Sequence, residues 1–203
     1  GLALLNHALT FNGKPLNHYS GISCFAEYAV VSQNSIVKIN RELPLTLAAI
    51  FGCAVITGVG AVLNTARDDA GKSLAVVGHG GIGLSALLGA VLGGAKTIVA
   101  IDVRETKLEL AKQFGATHVF LGTDPDCAEK VKAATDGGVD YAMEMAGSIT
   151  AMKLAYAIGR RGSTTICAGL PPHDAVFAVP PAQMVSDERV IKGSYMGSSD
   201  PRR

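Results

Sequence analysis

The stretch Leu74-Ala75-Val76-Val77-Gly78-His79-Gly80-Gly81-Ile82-Gly83 joins a short apolar run to glycines in the pattern GxGxxG. Apolar residues then recur at helical spacing, at positions Leu84, Leu87, Leu88 and Val91. In this context Gly78 permits a tight turn, Gly80 lets a pyrophosphate approach the backbone, and Gly83 lets the helix pack on the strand. The start of the helix, with Gly81 and Ile82, attracts phosphate charge. The stretch therefore predicts a strand, a phosphate-binding turn and a helix.

Strands and helices alternate along the rest of the chain after this turn. Short β-branched runs predict strands at 74–77, 97–101, 118–120, 139–143, 164–167 and 189–193. Helical patterns of about 8–15 residues lie between them, at 81–92, 104–114, 127–134 and 149–158. Such alternation is typical of βαβ units around a parallel sheet. We therefore predict an α/β fold with a Rossmann-type, doubly wound sheet of six parallel strands.

The residues before the turn have a different pattern. The runs 24–31 and 35–39 are β-like, and turn-rich stretches such as Asn12-Gly13-Lys14-Pro15 separate the runs. This pattern predicts part of an antiparallel sheet ahead of the parallel one.

Asp102 stands 19 residues after Gly83, at the end of the second predicted strand. A carboxylate at this place accepts both hydroxyls of an adenosine ribose and repels a 2′-phosphate, which predicts NAD over NADP. Asp102 could instead cap the helix that begins near Arg104. Arg104 is close enough to weaken the preference, and Lys107 either reaches the same ribose or phosphate or is an exposed helix lysine.

Composition excludes several classes of protein. The 203 residues are 48% hydrophobic with a net charge of +1, which excludes a disordered chain and argues against a nucleic-acid binder. The uncharged stretches 43–66 and 73–95 are each long enough to cross a bilayer, which takes about 20 residues. Their glycines and Pro44 would disrupt a spanning helix. We therefore predict no membrane contact, and assign these stretches to strand and helix inside a covered parallel sheet.

The cysteines indicate a reduced compartment. Cys24, Cys53, Cys127 and Cys167 are widely spaced and form no CxxC pair, so neither a disulfide framework nor a self-contained zinc lobe is implied. The residues after Gly1 lack the charged and apolar regions of a signal peptide. A cytoplasmic location is the expectation.

The chain resembles the zinc-dependent medium-chain alcohol dehydrogenases. The most specific resemblance is the segment Gly52-Cys53-Ala54-Val55-Ile56-Thr57-Gly58 followed by the phosphate turn. Other matching stretches are 13–19, 25–31, 137–141 and 168–172, so the resemblance covers essentially the whole chain. It implies an internal piece of a longer enzyme. Residues 1–54 would be the tail of a GroES-like antiparallel β catalytic domain, 55–194 the NAD-binding domain, and 195–203 the start of a return to the catalytic domain.

The activity implied by the resemblance is NAD-dependent oxidation of an alcohol to an aldehyde or ketone, and the reverse. Cys53 would be one of three protein ligands of a catalytic zinc, with a Cys and a His from earlier in the polypeptide. The zinc would lower the pKa of the alcohol oxygen. The present residues alone would then lack two ligands, so we expect no tight zinc and no activity from them.

Other site residues follow from the same resemblance. Thr57 would pack against the nicotinamide side of the cofactor, and Tyr19 would line the substrate channel. The backbone of Ala168 and Leu170 would meet the nicotinamide amide. The alternatives are that Thr57 caps a helix, Tyr19 is a half-buried loop aromatic, Ala168 and Leu170 are turn residues, and Cys53 is a small buried hydrophobe.

Two other functions stay open. One is a zinc-free reductase of the quinone or enoyl type, and the other is a non-catalytic NAD-binding module. The segments 176–179 and 189–191 resemble the sheet edge through which family members dimerise, so a homodimer is expected and a homotetramer is possible.

Overall fold

The structure is a computed structural model that describes residues 9–17, 22, 24–67 and 70–200. The chain falls into two units, residues 1–43 and residues 44–201. In the first unit, β1 (Leu9–Phe11) and β2 (Lys14–Leu16) form an antiparallel hairpin. Its turn residues Asn12 and Gly13 have φ angles of 51° and 73°, which asparagine and glycine tolerate best. The small antiparallel pair agrees with the predicted character of this part of the chain.

The strands expected at 24–31 and 35–39 are absent from the described residues, and this part of the prediction was wrong. Residues 24–32 have no regular structure, and Gln33–Ser35 is a short 3₁₀ turn. Phe25, Tyr28 and Val30 are all fully or almost fully exposed. A strand forms only where its backbone groups find a neighbouring strand, and no described strand pairs with this segment. The alternation of apolar residues in this segment was therefore not sufficient to form a strand.

A six-stranded, fully parallel sheet forms the centre of the second unit. Its strands are β3 (Ser73–Val77), β4 (Thr97–Asp102), β5 (His118–Leu121), β6 (Val139–Glu144), β7 (Gly159–Cys167) and β8 (Val190–Gly193). The order across the sheet is β5-β4-β3-β6-β7-β8, and every neighbouring pair is parallel. This is the doubly wound order, and it confirms the predicted fold class. The order reverses between β3 and β6, where ligands of such sheets bind.

The helices of the second unit follow the predicted alternation. They are α1 (Leu45–Ala66), α2 (Gly81–Leu92), α3 (Glu105–Gln113), α4 (Cys127–Ala134), α5 (Ile149–Ala157) and α6 (Pro181–Ser186). Helices α2 to α5 begin and end within one residue of the predicted bounds. The start of α5 is capped by Ser148, whose hydroxyl accepts the N–H of Ala151 at 3.1 Å.

Alternate residues of the central strand build two separate cores. Leu74 and Val76 of β3 point to one face, where they pack with residues of α1 and α2. Ala75 and Val77 point to the other face, where they pack with residues of α4 and α5. A strand buried on both faces reads as a continuous apolar run, which is why β3 was recognisable in the sequence.

Helix α1 differs from its prediction. The stretch 43–66 was assigned to strand and helix inside the covered sheet, but the structure has one helix beside α2, with π-helical turns at Phe51–Val55 and Ala61–Ala66. Its first half is exposed, with Leu45 at 78% and Leu47 at 53%. By length and by a mean hydropathy of 2.2, α1 could cross a membrane. The predicted domain boundary at 54/55 also falls within this helix.

The second half of α1 packs very closely on α2. A Cβ on Gly58 would overlap the carbonyl oxygen of Ile82 and lie 2.7 Å from the amide nitrogen of Ala86. A Cβ on Gly89 would lie 3.1 Å from the Cα of Val59. The helices therefore approach each other through glycine on both sides, and the contacts are to backbone that cannot move aside.

We expect Gly58→Ala to destabilise the second unit by about 1–3 kcal/mol, because the added methyl overpacks this helix contact. Gly52→Ala in the same helix is the matched control, since a Cβ there meets nothing within 4 Å. The control should be neutral or stabilising by up to about 1 kcal/mol, from helix propensity alone. Urea unfolding of both variants gives the two values. Equal stability of the two variants would contradict the close packing.

Candidate functional site

The predicted phosphate turn connects β3 to α2. Gly78 has a φ of 94°, and a Cβ there would lie 2.8 Å from the Cβ of Ala146. A Cβ on Gly83 would overlap the carbonyl oxygen of Gly78, so this glycine lets α2 begin directly against the strand end. A Cβ on Gly80 would meet nothing within 4 Å. The three glycines therefore have different functions, and only Gly80 faces open space.

Asp102 lies at the carboxyl end of β4 and holds the turn in place. Its Oδ2 accepts the backbone N–H of His79 at 2.7 Å, and its Oδ1 accepts the N–H of Arg104 at 3.0 Å. Arg104 is the N-cap residue of α3, and the bond from Asp102 reaches only this residue before the helix, so Asp102 does not itself cap α3. A carboxylate has about four acceptor sites, so these two bonds leave room for ribose hydroxyls. The side chain is 11% exposed.

An apolar cavity of about 230 Å³ opens beside Asp102. It lies at the ends of β3, β4 and β5, between Gly78 of the turn, Val103 and Gly122. Ser148 and the first turns of α5, with Thr150 and Leu154, form its other wall. Sequence reasoning missed this cavity, because its walls combine strand ends, loops and the start of a helix that are distant in sequence.

The turn and the cavity fit an adenine dinucleotide. The cavity is apolar and of a size for a planar base, and it shares the Asp102 carboxylate with the turn. Gly80 leaves a space in the turn that a side chain would fill. Gly81 and Ile82 form the first residues of α2, whose N-terminus favours phosphate charge. Lys107 is half-buried in the first turn of α3.

The structure buries the side chain of His79 completely inside the phosphate turn. Its Nδ1 lies 3.7 Å from Oδ2 of Asp102, and neither ring nitrogen has a hydrogen-bond partner. Burial lowers the pKa of His79 to about 4, although the charge of Asp102 and the carbonyl of Ile101 act in the opposite direction. The ring is therefore neutral at physiological pH.

Glu144, at the end of β6, is a second buried residue that sequence reasoning missed. Its Oε1 accepts the backbone N–H of Ala146 at 2.9 Å and of Gly147 at 2.6 Å. Burial raises the pKa of Glu144 above its usual range, and these backbone donors offset only part of the effect. The carboxylate fixes the loop after β6, which lines the cavity. An acidic residue directly after the predicted strand 139–143 was the signal available in the sequence.

The loop after β7 lies beside the loop after β6. Ala168 donates its N–H to the backbone carbonyl of Glu144 at 2.9 Å. The backbone of Leu170 packs so closely on Gly147 that a Cβ on Gly147 would lie 2.9 Å from the Leu170 oxygen. Leu170 is 80% exposed. Both residues are thus at the carboxyl edge of the sheet, on the other side of β6 from the turn.

Cys53 and Thr57 both lie inside α1. Thr57 is buried, and its Oγ1 lies 3.8 Å from the sulfur of Met196. It is far from the start of the helix, so the alternative of an N-terminal cap is wrong: the helix begins at Leu45. Cys53 is exposed, in the first π-helical turn. Tyr19 lies outside the described residues.

The described residues do not by themselves form a zinc site. No three His, Cys, Asp or Glu side chains in this part of the structure are grouped so that they could hold a metal. Cys127 is buried, and burial raises its thiol pKa. Burial and the charge of Glu144 raise the pKa of Cys167 to about 11. Both thiols are therefore protonated at neutral pH, and Cys53 is an exposed cysteine in the second unit.

Comparison with known proteins supports a dehydrogenase relationship. Residues 81–203 match the family model for zinc-binding dehydrogenases. Alcohol dehydrogenase 1 of Solanum tuberosum is 37% identical over 196 residues, which are 95% of this chain and 51% of the relative. The crystal structure of benzyl alcohol dehydrogenase from Acinetobacter calcoaceticus has a TM-score of 0.87 and 34% identity, over 91% of this chain and 51% of that chain.

A zinc-binding dehydrogenase from Sinorhizobium meliloti, bound to NADP, has a TM-score of 0.67 and 27% identity, over 75% of this chain and 46% of that chain. The chain thus spans about half the length of the curated relatives it matches. The family match, the relatives and the six-stranded sheet agree with one another. The chain belongs to the family of zinc-binding medium-chain alcohol dehydrogenases, of which it covers the dinucleotide-binding region.

Proposed function

We propose that this chain binds NAD(H) along the carboxyl edge of its sheet, as part of an enzyme that interconverts an alcohol and an aldehyde or ketone. The observation that carries the proposal is the open position of Gly80 beside the cavity lined by Asp102. The adenine enters the cavity, the ribose hydroxyls bind Asp102, and the pyrophosphate lies over Gly80 and the start of α2. When bound, NAD supplies the hydride acceptor.

The nicotinamide end of the cofactor lies on the other side of the β3/β6 switch point. Ala168 and Leu170 are at the end of β7, where their backbone groups orient the carboxamide. Thr57, with a small buried side chain on α1, is proposed to support one face of the nicotinamide ring. This chain's residues therefore position the cofactor, and the substrate pocket, including Tyr19, is assigned to the first unit.

The charge of Asp102 favours NAD over NADP. A 2′-phosphate carries about −1.5 to −2 charges at neutral pH, and it would lie beside this carboxylate. The structure of the Sinorhizobium relative contains bound NADP, so a related site can accept the 2′-phosphate. The preference for NAD or NADP thus depends on the residues around the ribose. In this chain these residues are proposed to include Asp102, Arg104 and Lys107.

Cys53 is proposed as one thiolate ligand of a catalytic zinc in the longer enzyme. A catalytic zinc needs three protein ligands and an open position, so two further ligands would come from outside the described residues. Such a zinc would act as a Lewis acid on the alcohol oxygen. Cys53 is then the one zinc ligand proposed from the described residues.

The exposed apolar half of α1 is proposed to be covered by the remainder of the enzyme and not by a membrane. Leu45, Leu47 and Ile50 form this surface, and the chain spans only about half of its relatives' length. Strand β8 is the edge of the sheet, and we propose that it pairs with a second copy to form a homodimer, or a homotetramer built from such pairs. The enzyme is proposed to be cytoplasmic and to bind no nucleic acid.

NADH should bind at least about tenfold more tightly than NADPH, a difference of about 1.4 kcal/mol. Asp102→Gly should narrow or abolish this difference, because it removes the repulsive charge. Asp102→Asn separates charge from geometry, since an amide oxygen still accepts a backbone N–H. Titration calorimetry of the unchanged chain and both variants with each cofactor measures the six affinities. Equal affinities in the unchanged chain would refute the assignment.

Gly80→Ala should weaken NADH binding while the free energy of unfolding changes little, because its Cβ enters space assigned to the pyrophosphate. Gly83→Ala is the comparison: its Cβ overlaps the Gly78 carbonyl, so it should lower stability as well as affinity. Urea unfolding and NADH fluorescence titration give both quantities. If Gly80→Ala binds NADH normally, the pyrophosphate lies elsewhere.

In the full-length enzyme, Cys53→Ser should abolish bound zinc and alcohol-dependent NAD reduction while NADH binding survives, since the turn and cavity do not involve Cys53. Cys24→Ser, at another exposed cysteine, is the control and should retain the metal. Metal analysis and turnover assays measure these effects. Undiminished turnover in Cys53→Ser would favour a zinc-free reductase.

A further inference from the structure

The side chain of His79 is the most unusual polar group in the described part of the chain. It is completely buried inside the phosphate turn, with both ring nitrogens unpartnered. Its own backbone N–H donates to Oδ2 of Asp102, and its Nδ1 faces the same oxygen at 3.7 Å. An imidazole without hydrogen bonds in such a place is unfavourable, so packing alone does not account for a histidine here.

Charged groups approach the ring from two other elements. Asp102 at the end of β4 favours the protonated ring, and so does the carbonyl of Ile101. Lys107 on α3 disfavours it. Burial is the larger effect and keeps the ring neutral. The ring thus has a carboxylate partner within reach, but it lacks enough negative charge nearby to hold a proton at neutral pH.

We propose that His79 couples the binding of a 2′-phosphorylated dinucleotide at this site to the uptake of one proton. The proposal rests on the proposed function, in which the ribose lies at Asp102. The pyrophosphate at the turn is common to both cofactors, and with NAD(H) the ribose hydroxyls add no further charge beside Asp102. With NADP(H), the 2′-phosphate adds negative charge beside Asp102. One proton then passes from solvent to Nδ1, and the imidazolium forms an ion pair with Oδ2 of Asp102.

The sign of the pH dependence follows from linkage. A ligand that raises the pKa of a group binds more tightly as the pH falls through the pKa of the complex, until the pKa of the free protein is reached. The affinity for NADPH therefore increases relative to NADH in the acidic range, as the pH falls through the raised pKa of the complex towards the value of about 4 in the free chain. Cofactor selectivity at this site is then set by pH as well as by sequence.

The test is an NMR titration of the histidine Cε1–H resonances of the chain, alone, with NADH and with NADPH. The chain has 5 histidines, and the resonance missing from His79→Gln identifies His79. We expect the pKa of His79 to be higher by about one unit in the NADPH complex than in the NADH complex, because the 2′-phosphate is the charge by which the two cofactors differ. An unchanged pKa in the NADPH complex would overturn the proposal, and this measurement needs no variant beyond the assignment.

Binding measurements with variants give a second readout. His79→Leu fills about the same volume and keeps the backbone N–H, so it should fold. In the parent chain the affinity for NADPH should increase about tenfold from high to low pH, and in His79→Leu this increase should be absent. The 2′-phosphate of NADPH itself titrates at about pH 6. The pH dependence of NADPH affinity that remains in His79→Leu measures the contribution of this phosphate. His118→Gln, at an exposed histidine on β5, should keep the parent profile.

The results for the Asp102 and His79 variants distinguish a failure of the His79 proposal from a failure of the proposed cofactor site. If Asp102→Asn changes the NADH to NADPH ratio but His79→Leu keeps the full pH dependence, the role of His79 is refuted and the cofactor site stands. If Asp102→Asn leaves both affinities unchanged, the ribose does not lie at Asp102, and both proposals fail.

Discussion

The contact between Gly83 and the carbonyl oxygen of Gly78 is the constraint on which the rest of the second unit depends. Because no Cβ fits between them, the first turn of α2 lies directly on the end of β3. This fixes the N-terminus of α2 at the carboxyl edge of the sheet. The same helix then packs on Gly58 of α1 so closely that a side chain at position 58 would overlap the backbone of α2. Two successive glycine contacts therefore determine where the helix that attracts phosphate can lie.

Acidic side chains at the ends of β4 and β6 organise the two loops that follow β3 and β6. Asp102 holds the turn after β3, and Glu144 holds the loop after β6 with two short hydrogen bonds to backbone N–H groups. The elevated pKa of Glu144 means that its burial lowers stability as the pH rises from the usual glutamate pKa to the raised one. In return the loop is rigid where it lines the cavity, so the carboxylate contributes to the shape of the site rather than to stability.

The sequence was sufficient to predict the parallel sheet but not the environment of every residue. Strands such as β3 are buried on both faces, and α2 begins within the GxGxxG glycines that follow β3, so local patterns specified them. The run 24–31 has the alternation of a strand, yet a strand also requires a partner, which sequence spacing cannot reveal. Glycine contacts, the cavity and the burial of His79 depend on residues distant in sequence, so they emerged only from the fold.

Burial shifts the pKa values of His79 and Glu144 in opposite directions within one site. Burial disfavours the charged form of each, lowering the pKa of the imidazole and raising that of the carboxyl. Glu144 has backbone donors on one oxygen, and these stay in place whatever ligand binds. His79 has no partner on either nitrogen, so its protonation depends on the charge that arrives beside Asp102. Of the two groups, only the one without fixed partners can report which dinucleotide occupies the site.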